Sequence, residues 1–352
     1  MPKGSEIITL SVPRRFVDKR LDFGLASLLK EEFPEHAPSR NTLSGLIQSG
    51  KVFRNGKVAT PDTILSFEDV LTLERRVLLP DKDTLVPRKT DEVKVVWEGT
   101  EYVILYKSGN ISMHPVEGRK SKWPTVANFI LSRYPETVSV GEHPLRPGIV
   151  HRLDRETSGI LVVARNQDAY LKLKSLFQLR KAEKGYLALV YGNIKEPKGF
   201  IATPLERVPG SLKRRVVSER GFRGSREAYT EYEVLIRYKE YDLVLVYPKT
   251  GRTHQIRVHF SSIGHPLVGD KLYSSKPSRS QSLVPARHLL HAFALEFPYT
   301  KQKSKFLAPL PPDFSQVLLD IDETRDAGYD GEALKSLFSE YEGRGFFVSD
   351  TL

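Results

Sequence analysis

The sequence predicts an α+β fold in two parts, and three observations carry that expectation. From about residue 92 onward, short strand-like apolar runs dominate, with only a few helical stretches between them. Strand and helix do not alternate strictly, which argues against a doubly wound parallel sheet. A polar, proline-marked stretch at residues 79–91, holding Pro80, Asp81, Pro87 and Arg88, reads as a linker to a smaller αβ module before it. The 352 residues leave room for two domains of about 150 residues each.

The module comes first. Leu21, Leu25, Leu28 and Leu29 stand at helical spacing. Ser39 can N-cap a second helix running through Leu43, Leu46 and Ile47, and Gly50 stands where a C-terminal glycine belongs. Residues 51–58 read as two short strands around the Asn55-Gly56 turn, and residues 69–73 as a further alternating strand. In the second part, strands are expected at 93–97, 102–105, 160–163, 186–191 and 243–247, with helices at 125–131 and 166–179. Ile149 and Val150 are expected to end one more strand. Thr253 can N-cap a helix in which Ile256, Phe260 and Ile263 recur, closed by Gly264 ahead of Pro266.

Composition narrows the chemistry. The formal charge is +11. Residues 320–352 hold nine acids and three bases, a tail of −6, so residues 1–319 carry +17. A surplus of that size favours a polyanionic partner over mere solubility. There is no cysteine, which excludes disulfides, a thiol nucleophile and thiolate metal sites. The first residues lack a signal-peptide core, and no window nears the ~20 apolar residues that span a membrane. The expectation is a cytoplasmic protein with no membrane partner, working as a monomer. The acidic tail is expected to be weakly ordered, apart from one amphipathic helix over 333–341.

The most informative run is His151-Arg152-Leu153-Asp154-Arg155-Glu156-Thr157-Ser158-Gly159. It places one carboxylate between two arginines, on a polar loop just ahead of the apolar run at 160–163. Loops on a rigid scaffold commonly mount functional residues. A nearby cation favours the ionised form, so Asp154 is expected to be charged. Thr157 and Ser158 can bond the loop backbone, and Gly159 permits a turn. On these grounds alone Asp154 is either an ion-pair staple or a managed nucleophile.

The run resembles the signature of the RluA-type pseudouridine synthases. Further blocks resemble the same family, in its order and spacing. They are Lys184-Gly185-Tyr186 with its strand, Gly251-Arg252-Thr253-His254-Gln255-Ile256-Arg257, His265-Pro266-Leu267-Val268-Gly269-Asp270, and Arg287-His288-Leu289-Leu290-His291. Two blocks depart from the pattern: Lys107-Ser108-Gly109-Asn110 replaces a lysine-proline, and Tyr299-Thr300 replaces a His-Pro. Arg20-Leu21-Asp22, Ser39-Arg40 and Gly50-Lys51-Val52 with Asn55-Gly56 resemble the RNA-binding domain named after ribosomal protein S-four. The organisation implied is an RNA-binding domain at 1–78, a linker at 79–91, a synthase domain at 92–319 built on a mixed, largely antiparallel sheet, and the tail at 320–352.

The resemblance implies an isomerase that breaks the ribose–uracil bond, turns the base and rejoins it through carbon, with no cofactor or metal. Asp154 matches the family's nucleophile, a role that suits a carboxylate able to bond to carbon and leave again. Tyr186 matches the active-site tyrosine, whose ring can stack on the extruded base and whose hydroxyl can accept a proton. Pattern alone also allows Tyr186 to be one core residue of a face shared with Ala188 and Val190. Arg257 matches the arginine that pairs with the aspartate. Its helical position lies off the apolar stripe, free to reach Asp154. Arg152 matches an arginine near the flipped nucleotide. Lys213, Arg214 and Arg215 are RNA-backbone candidates on what is otherwise a solvated charged hairpin. Arg40, Lys51 and Arg54 are the candidates in the N-terminal module. The histidines lack helical metal-ligand spacing and are expected to be hydrogen-bonding residues. The implied substrate is structured RNA, ribosomal RNA ahead of tRNA. A non-catalytic assembly factor on the same fold and a metal-dependent hydrolase are the competing classes; the intact Asp154, Tyr186 and Arg257 set argues against the first, and the missing carboxylate cluster against the second.

Overall fold

The computed structural model describes residues 7–33, 40–74, 85–115, 123–208, 214–216, 225–274, 285–300 and 304–322. The chain forms two compact units, Met1–Thr84 and Leu85–Leu352.

In the first unit β1 (Ile7–Ser11) precedes α1 (Leu21–Glu32) and α2 (Arg40–Gln48). β2 (Val52–Arg54), β3 (Lys57–Val58) and β4 (Val70–Glu74) follow. The four strands pair antiparallel in the order β1-β4-β2-β3. Leu21, Leu25 and Leu29 of α1 meet Leu43 and Ile47 of α2 and Val52 and Leu71 of the sheet in one buried cluster. Asn55 and Gly56 both take positive φ, 49° and 80°. That is the turn whose twist matches a two-residue hairpin. Gly50 ends α2 at φ 71°, its N–H donating to the Ile47 carbonyl. β1 was not expected; Ile8 and Leu10 point inward, but five residues with an exposed Ile7 make a weak alternation. Ser39 lies outside the described residues.

The second unit is a nine-stranded sheet. Its strands are β5 (Val93–Glu98), β6 (Tyr102–Lys107), β7 (Ser158–Ala164), β8 (Glu183–Tyr191), β9 (Lys198–Ile201), β12 (Thr230–Arg237), β13 (Tyr241–Pro248), β14 (Leu290–Phe297) and β15 (Ser304–Leu307). β10 (Leu205–Arg207) and β11 (Arg214–Val216) make a separate antiparallel pair. The order is β5-β6-β7-β14-β8-β13-β12-β9, with β15 also on β14. The β7–β14 pairing is parallel and the other pairings are antiparallel. The sheet is thus mixed and largely antiparallel, as the family resemblance implied.

Both faces of this sheet are covered, which is why its central strands read as continuous apolar runs. Val103, Leu105, Leu161, Val163, Ala188 and Val190 face α3 (Val126–Arg133) and α5 (Gln255–Ser262). The alternate residues Ile104, Ile160 and Val162 face α4 (Gln167–Gln178), while Leu187 and Leu189 share a cluster with Phe314 and Ile321 of α6 (Pro312–Ile321). Local capping starts two of these helices. Thr125 and Asn128 form a capping box on α3, and the Asn166 side chain accepts from the Ala169 N–H on α4.

Three expectations change. Residues 149–150 form no strand; Ile149 makes only an isolated bridge to Val163, because the chain from Gly141 to Thr157 is irregular and held by turns. A boundary at 319 falls inside α6, whose Ile321 is buried. Within the expected linker, Leu85 is buried in the second unit's core and the Asn128 side chain donates to the Val86 carbonyl at 2.7 Å, so the chain is already fastened to that unit at 85–86. Residues 75–84 and 323–352, with the helix expected at 333–341, lie outside the described residues.

Candidate active site

The loop that carries Asp154 is fastened from several sides. The Thr157 N–H donates to the Asp154 carbonyl at 3.1 Å, closing a turn. Thr157 Oγ1 lies 2.9 Å from His288 Nε2, and Ser158 Oγ 2.9 Å from His291 Nδ1. Lys107, fully buried at the end of β6, donates to the Arg155 carbonyl at 2.9 Å. Arg287 is also buried; it donates to the Glu156 carbonyl and to Ser158 Oγ, and pairs with Asp313 of α6 at 2.6 and 2.9 Å. The His151 ring stacks on Phe177, and its Nε2 accepts from the Val162 N–H. Gly159 does more than permit a turn. It lies within β7 at φ 123°, and a Cβ there would come within 2.2 Å of the Ala292 carbonyl oxygen on β14. The close approach of two backbones demands glycine at that point.

Asp154 opens onto a cleft of about 680 Å³. Eight arginines and lysines line it, Arg146, Arg152 and Lys184 among them, against one carboxylate, Asp154. Arg257 Nη1 lies 3.6 Å from Asp154 Oδ2, and His254 Nε2 3.9 Å from the same oxygen. The cations on either side in sequence turn elsewhere: Arg152 toward His114 Nε2 at 3.3 Å, and Arg155 to the Asn110 carbonyl at 3.3 Å. The partner of the carboxylate therefore comes from a distant helix.

Arg257 has a second carboxylate partner besides Asp154. It is buried, and it donates from Nε and Nη2 to Asp270 at 2.7 and 2.8 Å. Burial disfavours its charge, but Asp270 and then Asp154 outweigh burial and hold the guanidinium above its ordinary pKa. Burial likewise works to raise Asp270, and the bonds and charge of Arg257 hold that carboxyl below its ordinary value. Thr253 does not cap α5. His254 occupies the cap in the left-handed conformation, φ 58°, with no side-chain cap bond, and the Gln255 carboxamide accepts the Arg252 N–H instead.

Tyr186 lines the cleft and is also buried with Ala188 and Val190, so both readings of it hold at once. Burial first, and the Asp154 charge second, push its phenol above the ordinary tyrosine value. It stays a neutral phenol, well suited to stacking and poorly suited to taking a proton. Lys184 is lowered by burial to about 8.

The other sequence-predicted residues do not converge on Asp154. Arg40 pairs with Asp22 at 2.9 Å and Arg54 with Asp69 at 2.7 Å, both within the first unit, where Lys51 is exposed. Burial works to raise Asp22 and Asp69, and their arginine partners hold both carboxyls below the ordinary value. Lys213 lies outside the described residues. Arg214 and Arg215 stand on β11, with side chains outside the described set. Among the described residues no group of three or more histidines and carboxylates could hold a metal ion.

Sequence reasoning passed over Asp270, His254, Arg287 and Lys107. Asp270 and Arg257 stand 13 residues apart. The block holding Asp270 was visible, but nothing local named its partner.

Known proteins resemble this chain over most of its length. A family model described as RNA pseudouridylate synthase matches residues 101–262, which include Asp154, Tyr186 and Arg257. An RNA pseudouridine synthase of Aquifex aeolicus is 37% identical over 303 residues, 84% of this chain and 90% of that one. The ribosomal large subunit pseudouridine synthase D of Pseudomonas aeruginosa is 34% identical over 327 residues, 90% and 96% of the two chains. The solved structure of human RNA pseudouridylate synthase domain containing 1 superposes with a TM-score of 0.51 at 26% identity, covering 67% of this chain and 97% of that one. The chain belongs to the RluA-type RNA pseudouridine synthases and is an isomerase.

Proposed function

We propose that this enzyme isomerises specific uridines of large-subunit ribosomal RNA to pseudouridine, with Asp154 as the nucleophile. The observation that carries the reading is one carboxylate, held 3.6 Å from a buried arginine, in a cleft whose other charged lining residues are arginines and lysines. The cations suit a polyanionic strand. Asp154 is recessed, so the target uridine leaves its stack to reach it. Tyr186 stacks on the extruded base, and Arg257, 3.6 Å away, aims Asp154. Arg152, at the cleft wall, meets the flipped nucleotide's neighbourhood. The names of relatives such as the Pseudomonas aeruginosa enzyme favour ribosomal RNA over tRNA. The enzyme works as a cytoplasmic monomer without metal or cofactor, and residues 1–78 add affinity for structured RNA through Arg40, Lys51 and Arg54, with Lys213, Arg214 and Arg215 as further backbone contacts.

Pseudouridine mapping in RNA from cells with and without this gene tests the reading. Loss of discrete sites in large-subunit ribosomal RNA supports it. Loss confined to tRNA, or no loss, contradicts it. Removing residues 1–78 should weaken binding to structured RNA; unchanged affinity and target choice would remove the module from the account.

A further inference from the structure

We propose that Arg287 is a positioning residue for the nucleophile, a strut between α6 and the turn that carries Asp154. The inference rests on Asp154 performing the chemistry. The Asp154 carboxylate is met by Arg257 at 3.6 Å and by His254 at 3.9 Å, both longer than a hydrogen bond. Its aim is therefore set chiefly by the backbone beneath it. That backbone is a tight turn, in which the Thr157 N–H donates to the Asp154 carbonyl at 3.1 Å.

Arg287 holds that turn from behind. Nη1 donates to the Glu156 carbonyl at 2.9 Å and Nη2 to Ser158 Oγ at 3.2 Å, on either side of Thr157. Nη1 also reaches the carbonyls of His288 at 3.1 Å and Leu290 at 3.3 Å, where β14 begins. Along another edge of the guanidinium, Nε and Nη2 donate to Asp313 Oδ2 and Oδ1 at 2.6 and 2.9 Å. The guanidinium is a rigid planar fork, so a two-point bond along one edge fixes the direction of the others. Arg287 is buried and Asp313 half-exposed, in the first turn of α6. The carboxylate that orients the fork thus stands at the surface, on an element outside the cleft.

Packing supports the assignment independently. A Cβ on Gly109 would lie 2.3 Å from Arg287 Nε, so the backbone at 109 lies directly against the fork. At the other end α6 is seated by Phe314 and Ile321, buried in one cluster with Leu187, Leu189 and Phe293. A shift of α6 therefore reaches Asp154 through Asp313, Arg287 and the backbone from Glu156 to Ser158. Misplacing a reacting group by about 1 Å can cost about 100-fold in rate.

The test uses the full chain and RNA from cells lacking this gene, tritiated at uridine C5. Asp313→Ala should lower kcat by about 10-fold, with KM and RNA affinity unchanged. Asp313→Glu keeps a carboxylate at a shifted reach and should lose only about threefold. Leu235→Ala is the control for stability alone. It removes buried bulk from β12, two strands away from β14 across β8 and β13, so it should lower the urea midpoint and leave the kcat of folded protein unchanged. Wild-type kcat in Asp313→Ala overturns the inference, as does a loss of kcat in Leu235→Ala equal to that in Asp313→Ala. If Asp313→Ala does not fold, Asp313→Glu carries the test, and wild-type kcat there overturns it. If Asp154→Asn turns over, the nucleophile reading fails and the strut with it. If Asp154→Asn is dead and Asp313→Ala turns over normally, the strut alone is removed.

Discussion

Arg257 and Asp270 form a two-point ion pair, Nε to Oδ2 at 2.7 Å and Nη2 to Oδ1 at 2.8 Å, with the carboxylate fully buried. That pairing leaves Nη1 as the arm facing Asp154. Asp154 thus faces a guanidinium whose orientation is set by a second carboxylate behind it.

Asp270→Asn should be costly, because it strands a buried guanidinium. Breaking a buried pair from one side costs about 3–5 kcal/mol. Urea denaturation should show that loss, and kcat should fall more than KM rises, since Arg257 loses its aim. Replacing both partners, Arg257→Met with Asp270→Leu, should restore part of the stability and none of the activity.

Gly159→Ala tests the close approach of β7 and β14. The new Cβ would lie 2.2 Å from the Ala292 carbonyl oxygen, at a φ of 123° that L-residues rarely adopt. Strain and overpacking each cost about 1–3 kcal/mol, so the variant should lose several kcal/mol in the same denaturation experiment. Wild-type stability would show that the two backbones do not meet as described.

Lys107 sets a pH dependence. Burial, with the Arg287 charge second, lowers its ammonium from 10.5 to about 7. Between about pH 7 and 10.5 the unfolded chain holds this proton and the folded chain does not. Stability from this group therefore rises with pH across that window, by about 1.4 kcal/mol per unit for one proton. Lys107→Met should flatten that part of the profile. An unchanged slope would mean that Lys107 stays charged in the fold.

Much of this was legible locally. The Asn55-Gly56 turn, the Gly50 stop and the helices near 125–131 and 166–179 are decided by a few adjacent residues, and the structure has them close to where they were expected. The continuous apolar runs of β7, β8 and β13 reflect a sheet covered on both faces. What the sequence could not convey was partner choice. Arg152 and Arg155 adjoin Asp154 in the chain, yet Arg257, about a hundred residues on, is the arginine that reaches it. A loop residue and its neighbours point in different directions, and tertiary packing selects which cation returns. Asp270, Lys107 and Arg287 stayed hidden for the same reason: each acts through contacts with residues distant in sequence.

The claim on which the rest depends is that Asp154 performs the chemistry. Asp154→Asn keeps the shape of the side chain and removes its charge and nucleophilicity. With RNA tritiated at uridine C5, wild-type enzyme releases label to water as C5 takes the ribose bond. The account predicts no release from Asp154→Asn, with RNA binding retained. Release at a rate near that of the wild type would contradict it.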